Sequence, residues 1–190
     1  MALTEITNGK VTAVISDKGA ELQSLVYGGI EYIWQGDPKY WNRRAPVLFP
    51  FVGRCKNDAF TYAGGTYHIG QHGFARDNVF EVIAAGQSSA SFSLQSNPEL
   101  KKKYPFDFEF IITYRLQGTT LSVEYDVTNR GSSMMFFSVG SHEAFRCPLV
   151  EGERFEDYTI KLNQNERLDR YYLEDGLAGL TGEPFIDFGQ

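Results

Sequence analysis

Residues 108–128, FEFIITYRLQGTTLSVEYDVT, alternate apolar and polar side chains along two consecutive runs. The apolar positions of the two runs are Phe108, Phe110, Ile112 and Tyr114, then Leu121, Val123, Tyr125 and Val127. A period of two is typical of strands that bury one face. Gln117 and Gly118 separate the runs by the length of a hairpin turn. This stretch therefore predicts a long antiparallel hairpin at the centre of a β-rich fold.

Shorter runs with the same period lie on both sides of this hairpin. They cover residues 3–7, 11–16, 21–27, 30–34, 79–85, 90–95 and 134–139, with a later strand predicted from Phe155 to Leu162. Residues 169–189 are turn-rich and carry only weak strand signals, and 97–104 predict one short helix because a proline follows a Ser-Asn cap. No strand–helix–strand alternation appears. The pattern predicts an all-β, antiparallel β-sandwich in a single domain spanning residues 1–190.

Charge and composition narrow the range of partners. The net charge is −6, which argues against nucleic acid and anionic membranes, because both reward clustered Lys and Arg. No apolar run reaches the length of a membrane span or of a signal-peptide core. Cys55 and Cys147 are the only cysteines and lack CxxC spacing, so we expect free, buried thiols in a reducing cytoplasm.

Two similar segments carry the candidate chemistry. Residues 43–77 read RRAPVLFPFVGRCKNDAFTYAGGTYHIGQHGFARD, where an apolar run ends at Gly53 and His72 follows a Gly-Gly hairpin. In SVGSHEAFRCP, at 138–148, another apolar run ends at a glycine and His142 follows at once. Because imidazole titrates near neutral pH, two such histidines at the ends of apolar strands predict an acid–base site. The alternative is that each is a structural histidine with its hydrogen bonds satisfied.

Arginines and aromatic rings accompany these histidines. The guanidinium groups of Arg54 and Arg76 could bind sugar hydroxyls, a carboxylate or a phosphate. The alternative for both is a salt bridge, since Asp58 and Asp77 lie close by in the sequence. Phe74, like Trp41, could stack on the apolar face of a sugar or belong to the core. No metal-binding motif, Walker loop, nucleophile elbow or cofactor signature appears.

At LFPFVGR, QHGFAR and SVGSHEAFRCP the sequence resembles the aldose 1-epimerase (galactose mutarotase-like) family, and in particular its bacterial LacX-like branch. The resemblance covers nearly the whole chain. It implies a β-sandwich of the large supersandwich type, without metal or organic cofactor. It also implies an isomerase that interconverts the α and β anomers of a free hexose.

The resemblance implies roles for individual residues. His142 matches the family's general acid, and His72 matches the histidine that contacts the region of the ring oxygen. Arg54 is carried over as a substrate-binding residue. Phe74 is predicted to bind the substrate on the stacking argument alone. Arg76 matches an arginine that contacts phosphate in the hexose-6-phosphate branch, whose second arginine falls near Asn42, one place before Arg43. The resemblance therefore leaves open whether the hexose is phosphorylated.

One departure from the family concerns the general base. Family members are longer, and their base is a glutamate in a C-terminal segment that this sequence does not contain. We therefore expect a C-terminally incomplete sandwich with impaired activity, and a homodimer formed through uncovered sheet edges. Two alternatives stay open: a catalytically silent carbohydrate-binding module, and an interaction domain whose edges pair with another chain.

Overall fold

The first sheet is an N-terminal meander. The computed structural model describes residues 1–161 and the two strands at 167–174 and 177–187. Four antiparallel strands follow one another in sequence order: β1 (Leu3–Thr7), β2 (Val11–Ser16), β3 (Leu22–Tyr27) and β4 (Ile30–Glu31). Gly28 and Gly29 connect β3 to β4 with φ of 59° and 80°, which is the left-handed backbone that a tight hairpin turn requires.

The middle of the chain contributes short strands. They are β5 (Val47–Leu48), β6 (Ala59–Tyr62) and β7 (Gly65–His68), and β6 pairs with β7 as a hairpin. Two 3₁₀ turns, Lys56–Asp58 and Ala75–Asp77, frame this hairpin. The long apolar run around residue 50 therefore gives only two residues of regular strand, and the rest follows a path set by other contacts.

The second sheet contains the long hairpin predicted from residues 108–128. Its strands are β8 (Glu81–Ala85), β9 (Ser89–Gln95), β10 (Phe108–Gln117) and β11 (Thr120–Asn129), in the spatial order β11-β10-β9-β8. Helix α1 (Pro98–Lys101) connects β9 to β10, and the side chain of Asn97 caps it by accepting hydrogen bonds from the backbone of Glu99 and Leu100. The predicted hairpin and short helix are both confirmed.

Three further strands lie in the last third of the chain. β12 (Gly140–Ser141) pairs with β5, and β13 (Arg167–Glu174) pairs with β14 (Leu177–Asp187) as a hairpin. Within the described residues, no helix is long and apolar enough to cross a membrane.

The two four-stranded sheets share one hydrophobic core, rich in aromatic rings. Inward residues of β2 such as Ala13 and Ile15 and inward residues of β10 such as Phe110 and Ile112 are all fully buried. The hydroxyl of Tyr114 donates a 2.7 Å hydrogen bond across this core to the carbonyl of Ala20. Burial raises the pKa of this tyrosine well above its ordinary value. The antiparallel β-sandwich predicted from the sequence is confirmed.

Several local predictions are wrong. Residues 134–139 form no strand, because much of the segment lies exposed along the surface and only the two residues after it pair with β5. Phe155–Asp157 is a 3₁₀ turn and no strand follows through residue 161, while Leu162 lies outside the described residues. Residues 169–174 and 177–187, expected to be turn-rich with weak strand signals, belong to β13 and β14. The thiols are free but not buried, since Cys55 is half-buried and Cys147 exposed.

Candidate active site

The segment from Val47 to Gly53 brings the two histidine-bearing loops together. Its first two residues pair with Ser141 and Gly140, so His142 follows directly after this short ladder. Its third residue, Phe49, forms a parallel bridge with Gly73, the residue after His72. The two imidazole rings therefore lie on either side of one backbone segment, with their centroids 6.3 Å apart. Their separation is short enough for both rings to contact one small sugar.

His72 is fixed by two hydrogen bonds to one residue. Its backbone N–H donates to the carbonyl of Gly53 at 2.7 Å, and the N–H of Gly53 donates to its Nδ1 at 3.0 Å. An Nδ1 that accepts a hydrogen bond carries no proton, so the neutral ring carries its proton on Nε2. Burial lowers the pKa of His72, and the positive charges of Arg76, His142 and Arg43 lower it further. His72 is therefore a neutral hydrogen-bond donor at pH 7.

Gly73 allows the close approach that positions His72. A Cβ atom at this glycine would lie 2.2 Å from the carbonyl oxygen of Phe49, and its φ is +72°. The same oxygen accepts hydrogen bonds from the N–H groups of Phe74 and Ala75 at 2.9 and 3.1 Å. His72 itself has a φ of 66°, in the left-handed region that non-glycine residues seldom occupy. The turn is thus strained locally and stabilised by its contacts to Phe49.

His142 lies in a more open setting. Its side chain is exposed, and its ring packs against Trp41 with a centroid distance of 5.1 Å. The backbone on its C-terminal side is fixed, because Ala144 donates to the carbonyl of Arg44 at 2.8 Å and accepts from Trp34 at 2.9 Å. An exposed imidazole on a fixed backbone can protonate from solvent and reach a ligand, as a general acid must.

Trp41, which the sequence offered as a ring that could stack on a sugar or belong to the core, lies at this site beside His142. It follows a turn at residues 38–40, where its N–H donates to the carbonyl of Asp37 at 2.9 Å. Its own carbonyl accepts a 2.8 Å hydrogen bond from the indole of Trp34. An aromatic residue shortly before the apolar run was the available signal, but only the tertiary structure places its ring against His142.

A cationic cleft of about 390 Å³ includes residues close to His72. Its charged side chains are Lys18, Glu21, Arg43, Arg44, Arg76 and Asp77. Arg43 pairs with Asp77 at 2.8 Å, and Arg76 donates to the carbonyl of Gln71 at 2.8 Å. The Nε of Arg76 is buried without a hydrogen-bond partner among the described residues and lies 3.9 Å from the carboxylate of Asp77. Burial and the charge of Arg43 lower the pKa of this arginine. The positive charges exceed the negative ones, so the cleft favours an anionic group.

The remaining predicted site residues lie elsewhere or are already paired. The guanidinium of Arg54 donates to both carboxylate oxygens of Asp58, at 2.7 and 2.6 Å, and this exposed pair holds the pKa of Asp58 below its usual value. Phe74 is buried in the core, where its ring packs against Phe49 and Phe108. A buried ring cannot stack on a ligand. The prediction that Phe74 contacts the substrate therefore does not fit the structure.

The fold matches solved structures of one class of protein. A galactose mutarotase related enzyme from Lactobacillus acidophilus superposes on 95% of this chain with a TM-score of 0.90 and 42% identity, over 61% of that enzyme. A galactose mutarotase-like protein from Lactobacillus casei superposes on 76% of the chain with a TM-score of 0.74 and 44% identity, over 50% of its own length. The class is therefore the galactose mutarotase-like β-sandwich.

The family follows from the sequence comparison. The family model described as aldose 1-epimerase matches residues 2–190, and this chain belongs to that family. Protein LacX from Lactococcus lactis is 36% identical in an alignment 193 residues long, which covers 96% of this chain and 64% of LacX. The chain thus spans less than two thirds of the length of LacX and of the Lactobacillus acidophilus enzyme.

Proposed function

We propose that this chain is an isomerase that interconverts the α and β anomers of a hexose, with His142 as general acid and His72 as a hydrogen-bond donor to the ring-oxygen region. The observation that carries the proposal is the pair of imidazoles 6.3 Å apart. The ring of His142 is exposed, and the ring of His72 is fixed as a neutral Nε2–H donor. Family membership supports the reaction class.

The reaction needs two proton transfers in each direction. Protonated His142 gives its proton to the ring oxygen while a base removes the proton of the anomeric hydroxyl. The bond between C1 and the ring oxygen breaks, and an open-chain aldehyde forms. Rotation about the C1–C2 bond followed by the reverse transfers closes the ring on the other face. His72 Nε2–H steadies the ring oxygen throughout, so that acid and substrate stay aligned.

The family resemblance assigns the role of general base to a glutamate, and neither His142 nor His72 matches it. Water can then remove the anomeric proton in place of a positioned carboxylate. A positioned acid or base typically contributes about 10²–10⁴-fold in rate, so a longer chain that carries such a glutamate is expected to be faster by about that factor.

The substrate class has a second candidate in hexose phosphates. Anomerisation itself involves only the ring oxygen and the anomeric centre, which free and phosphorylated hexoses share. The cleft containing Arg43 and Arg76 supports a substrate with an anionic group, because its lining has more positive than negative side chains and the buried Nε of Arg76 has no hydrogen-bond partner among the described residues. Glucose 6-phosphate is therefore tested beside the free sugars.

Polarimetry of freshly dissolved α-glucose, α-galactose and α-glucose 6-phosphate tests the proposal. The expected result is a first-order approach to anomeric equilibrium that is faster than in buffer and proportional to protein concentration. Proton NMR of the protein with the same sugars runs in parallel. Sugar-dependent shifts without acceleration would favour a silent carbohydrate-binding module over the enzyme. The absence of both acceleration and shifts would contradict both hypotheses.

Location and domain structure are further proposals. Two free cysteines support a reducing compartment such as the cytoplasm. A core shared by both four-stranded sheets supports a single domain. Cell fractionation with a specific antibody tests the first, and a single cooperative urea transition followed by two probes tests the second.

A further inference from the structure

The turn between β2 and β3, residues 17–21, is a buried and rigid element of the first sheet. Gly19 and Ala20 are both buried, with φ of 75° and 45°, and the second value is one that a non-glycine residue seldom adopts. The hydroxyl of Tyr114 fixes the turn to the second sheet by its 2.7 Å hydrogen bond to the carbonyl of Ala20. Such strain persists only where the surrounding contacts determine it, so the β2–β3 turn has a fixed position.

One side of the β2–β3 turn contacts the segment that follows His72. The N–H of Gly19 donates to the carbonyl of Asn78 at 2.7 Å, and the N–H of Phe80 donates to the carbonyl of Asp17 at 2.8 Å. A Cβ atom at Gly19 would lie 3.0 Å from the Cα of Arg76, so the two backbones touch. The turn therefore packs directly on the 3₁₀ turn at the end of the His72 loop.

The other side of the β2–β3 turn ends in Glu21, whose carboxylate holds a second segment. One oxygen, Oε1, accepts hydrogen bonds from the N–H groups of Arg44 and Ala45, at 2.8 and 2.9 Å. Among the described residues, Glu21 forms no salt bridge. Its printed contacts are therefore those of an acceptor for backbone N–H groups, which fixes where residues 44–45 lie.

The segment held by this carboxylate carries the loop of His142. The carbonyl of Arg44 accepts a 2.8 Å hydrogen bond from the N–H of Ala144, two residues after the histidine. Val47, in the same segment, pairs with Ser141, the residue just before the histidine. Both ends of the His142 loop are thus attached to the backbone of residues 44–47, and that backbone is attached to the β2–β3 turn.

We propose that Glu21 is a positioning residue of the active site. Its Oε1 fixes residues 44–45, and through them the His142 loop, at a set distance from the His72 loop that the same turn contacts. This inference rests on the proposed function, because it concerns the same pair of histidines. A misplacement of about 1 Å at a catalytic group can cost about 10²-fold in rate, so a residue that sets this distance affects the reaction without touching the sugar.

Hydrogen exchange in the unchanged chain gives the first test. The amides of Arg44 and Ala45 belong to no strand, and Glu21 is the acceptor for both. We expect NMR to show them protected at least about 100-fold relative to the unfolded chain. Exchange at the unfolded rate would overturn the proposal before any residue is changed.

Two variants separate geometry from charge. Glu21→Gln loses the charge but keeps an acceptor oxygen at the same reach, whereas Glu21→Asp keeps the charge and shortens the side chain by one methylene. If the carboxylate acts by position, the aspartate variant should lower the kcat of mutarotation at least about tenfold. The glutamine variant should stay within about twofold of the unchanged chain. The reverse order would show that charge matters and position does not, and would overturn the proposal.

A structural measurement on the same variants does not depend on activity. In Glu21→Asp, the amide of Ala144 should exchange at least about tenfold faster and the imidazole resonances of His142 should shift, while both stay near their original values in Glu21→Gln. If the unchanged chain fails to accelerate anomerisation, the proposed function is wrong, and these resonances still decide whether Glu21 positions the loop. An unaffected Ala144 amide and His142 ring in the aspartate variant would overturn the positioning role.

Asn8→Ala is the matched control. The Oδ1 of Asn8 also accepts two backbone hydrogen bonds, from the N–H groups of Lys10 and Val11 at 3.1 and 3.0 Å, but at the opposite end of β2. Its loss should lower the urea midpoint of unfolding while kcat and the resonances of His142 stay unchanged. A loss of kcat equal to that of Glu21→Asp would mean that general destabilisation causes both effects, and would overturn the proposal.

Discussion

The two histidine loops reach the same site by opposite structural means. His72 is rigid: its ring and its backbone both bond to Gly53, and the turn is strained into the left-handed region. His142 is exposed, and the contact to its ring is the face of Trp41. A neutral donor benefits from fixed geometry, whereas an acid that exchanges protons with solvent benefits from access. The difference indicates that the two rings have different roles, His72 as a fixed donor and His142 as an acid.

Replacing the exposed histidine, His142, should have the largest effect and tests its role as the acid. His142→Asn should lower the mutarotation rate above buffer by about 10²–10⁴-fold, because the general acid is lost. The fold should persist, since the side chain is exposed. Polarimetry and a urea titration measure the two effects. His68→Asn, at an exposed histidine on β7, is the matched control and should leave the rate unchanged. Equal rates for both variants would remove His142 from the chemistry.

Breaking the rigid loop should affect stability. Gly73→Ala adds a Cβ 2.2 Å from the carbonyl oxygen of Phe49 at a φ of +72°, and neither backbone can move freely. We expect a loss of more than about 2 kcal/mol in the free energy of unfolding. Urea unfolding followed by fluorescence measures it.

Gly118→Ala is the control for the backbone conformation alone. Gly118 has a φ of +60° with no atom within 4 Å of the added Cβ, so the expected cost is about 1 kcal/mol. Similar losses for the two variants would mean that the contact with Phe49 does not constrain the His72 loop.

Weakening the contact between Trp41 and the exposed ring of His142 should have a smaller effect. Trp41→Ala removes the aromatic face beside His142, and an aromatic pair contributes about 0.5–1.5 kcal/mol, or roughly two- to tenfold in kcat/KM. Trp41→Phe keeps a ring and should recover most of the loss. The imidazole proton resonances of His142 should shift in the alanine variant and return toward their original positions in the phenylalanine variant. Unchanged resonances in both would show that Trp41 does not position His142.

The smallest expected effect is in the proton equilibrium of His72. Its pKa lies below the ordinary value of 6.5, because of burial first and then Arg76, His142 and Arg43. The unfolded chain therefore binds the proton more readily, so stability rises with pH from the folded pKa up to about 6.5 and is level above it. An NMR titration of the His72 ring should give a value below 6.5 that rises in His142→Asn, where one positive neighbour is lost. A value above 6.5 would contradict the buried donor.

The sequence predicted secondary structure correctly where the pattern involved only neighbouring residues. Alternation predicted the β10–β11 hairpin, and the proline and asparagine around residue 97 predicted α1. It failed at 134–139, where Phe136 and Phe137 fit a strand pattern but lie mostly exposed and outside any strand. The same ambiguity applied to Phe74 and Arg54, since a pattern cannot tell a core ring from a stacking ring, or a free guanidinium from one paired with Asp58.

The sequence by itself determined the all-β class, the family and the two histidines, because periodicity and short motifs are properties of neighbouring residues. Only the tertiary structure decided that these histidines meet, since 70 positions separate them and the link depends on the backbone of Phe49 pairing with Gly73 while Val47 and Leu48 pair with β12. It also decided that Trp41 packs on His142. Contacts between distant segments arise from packing, which no local pattern encodes.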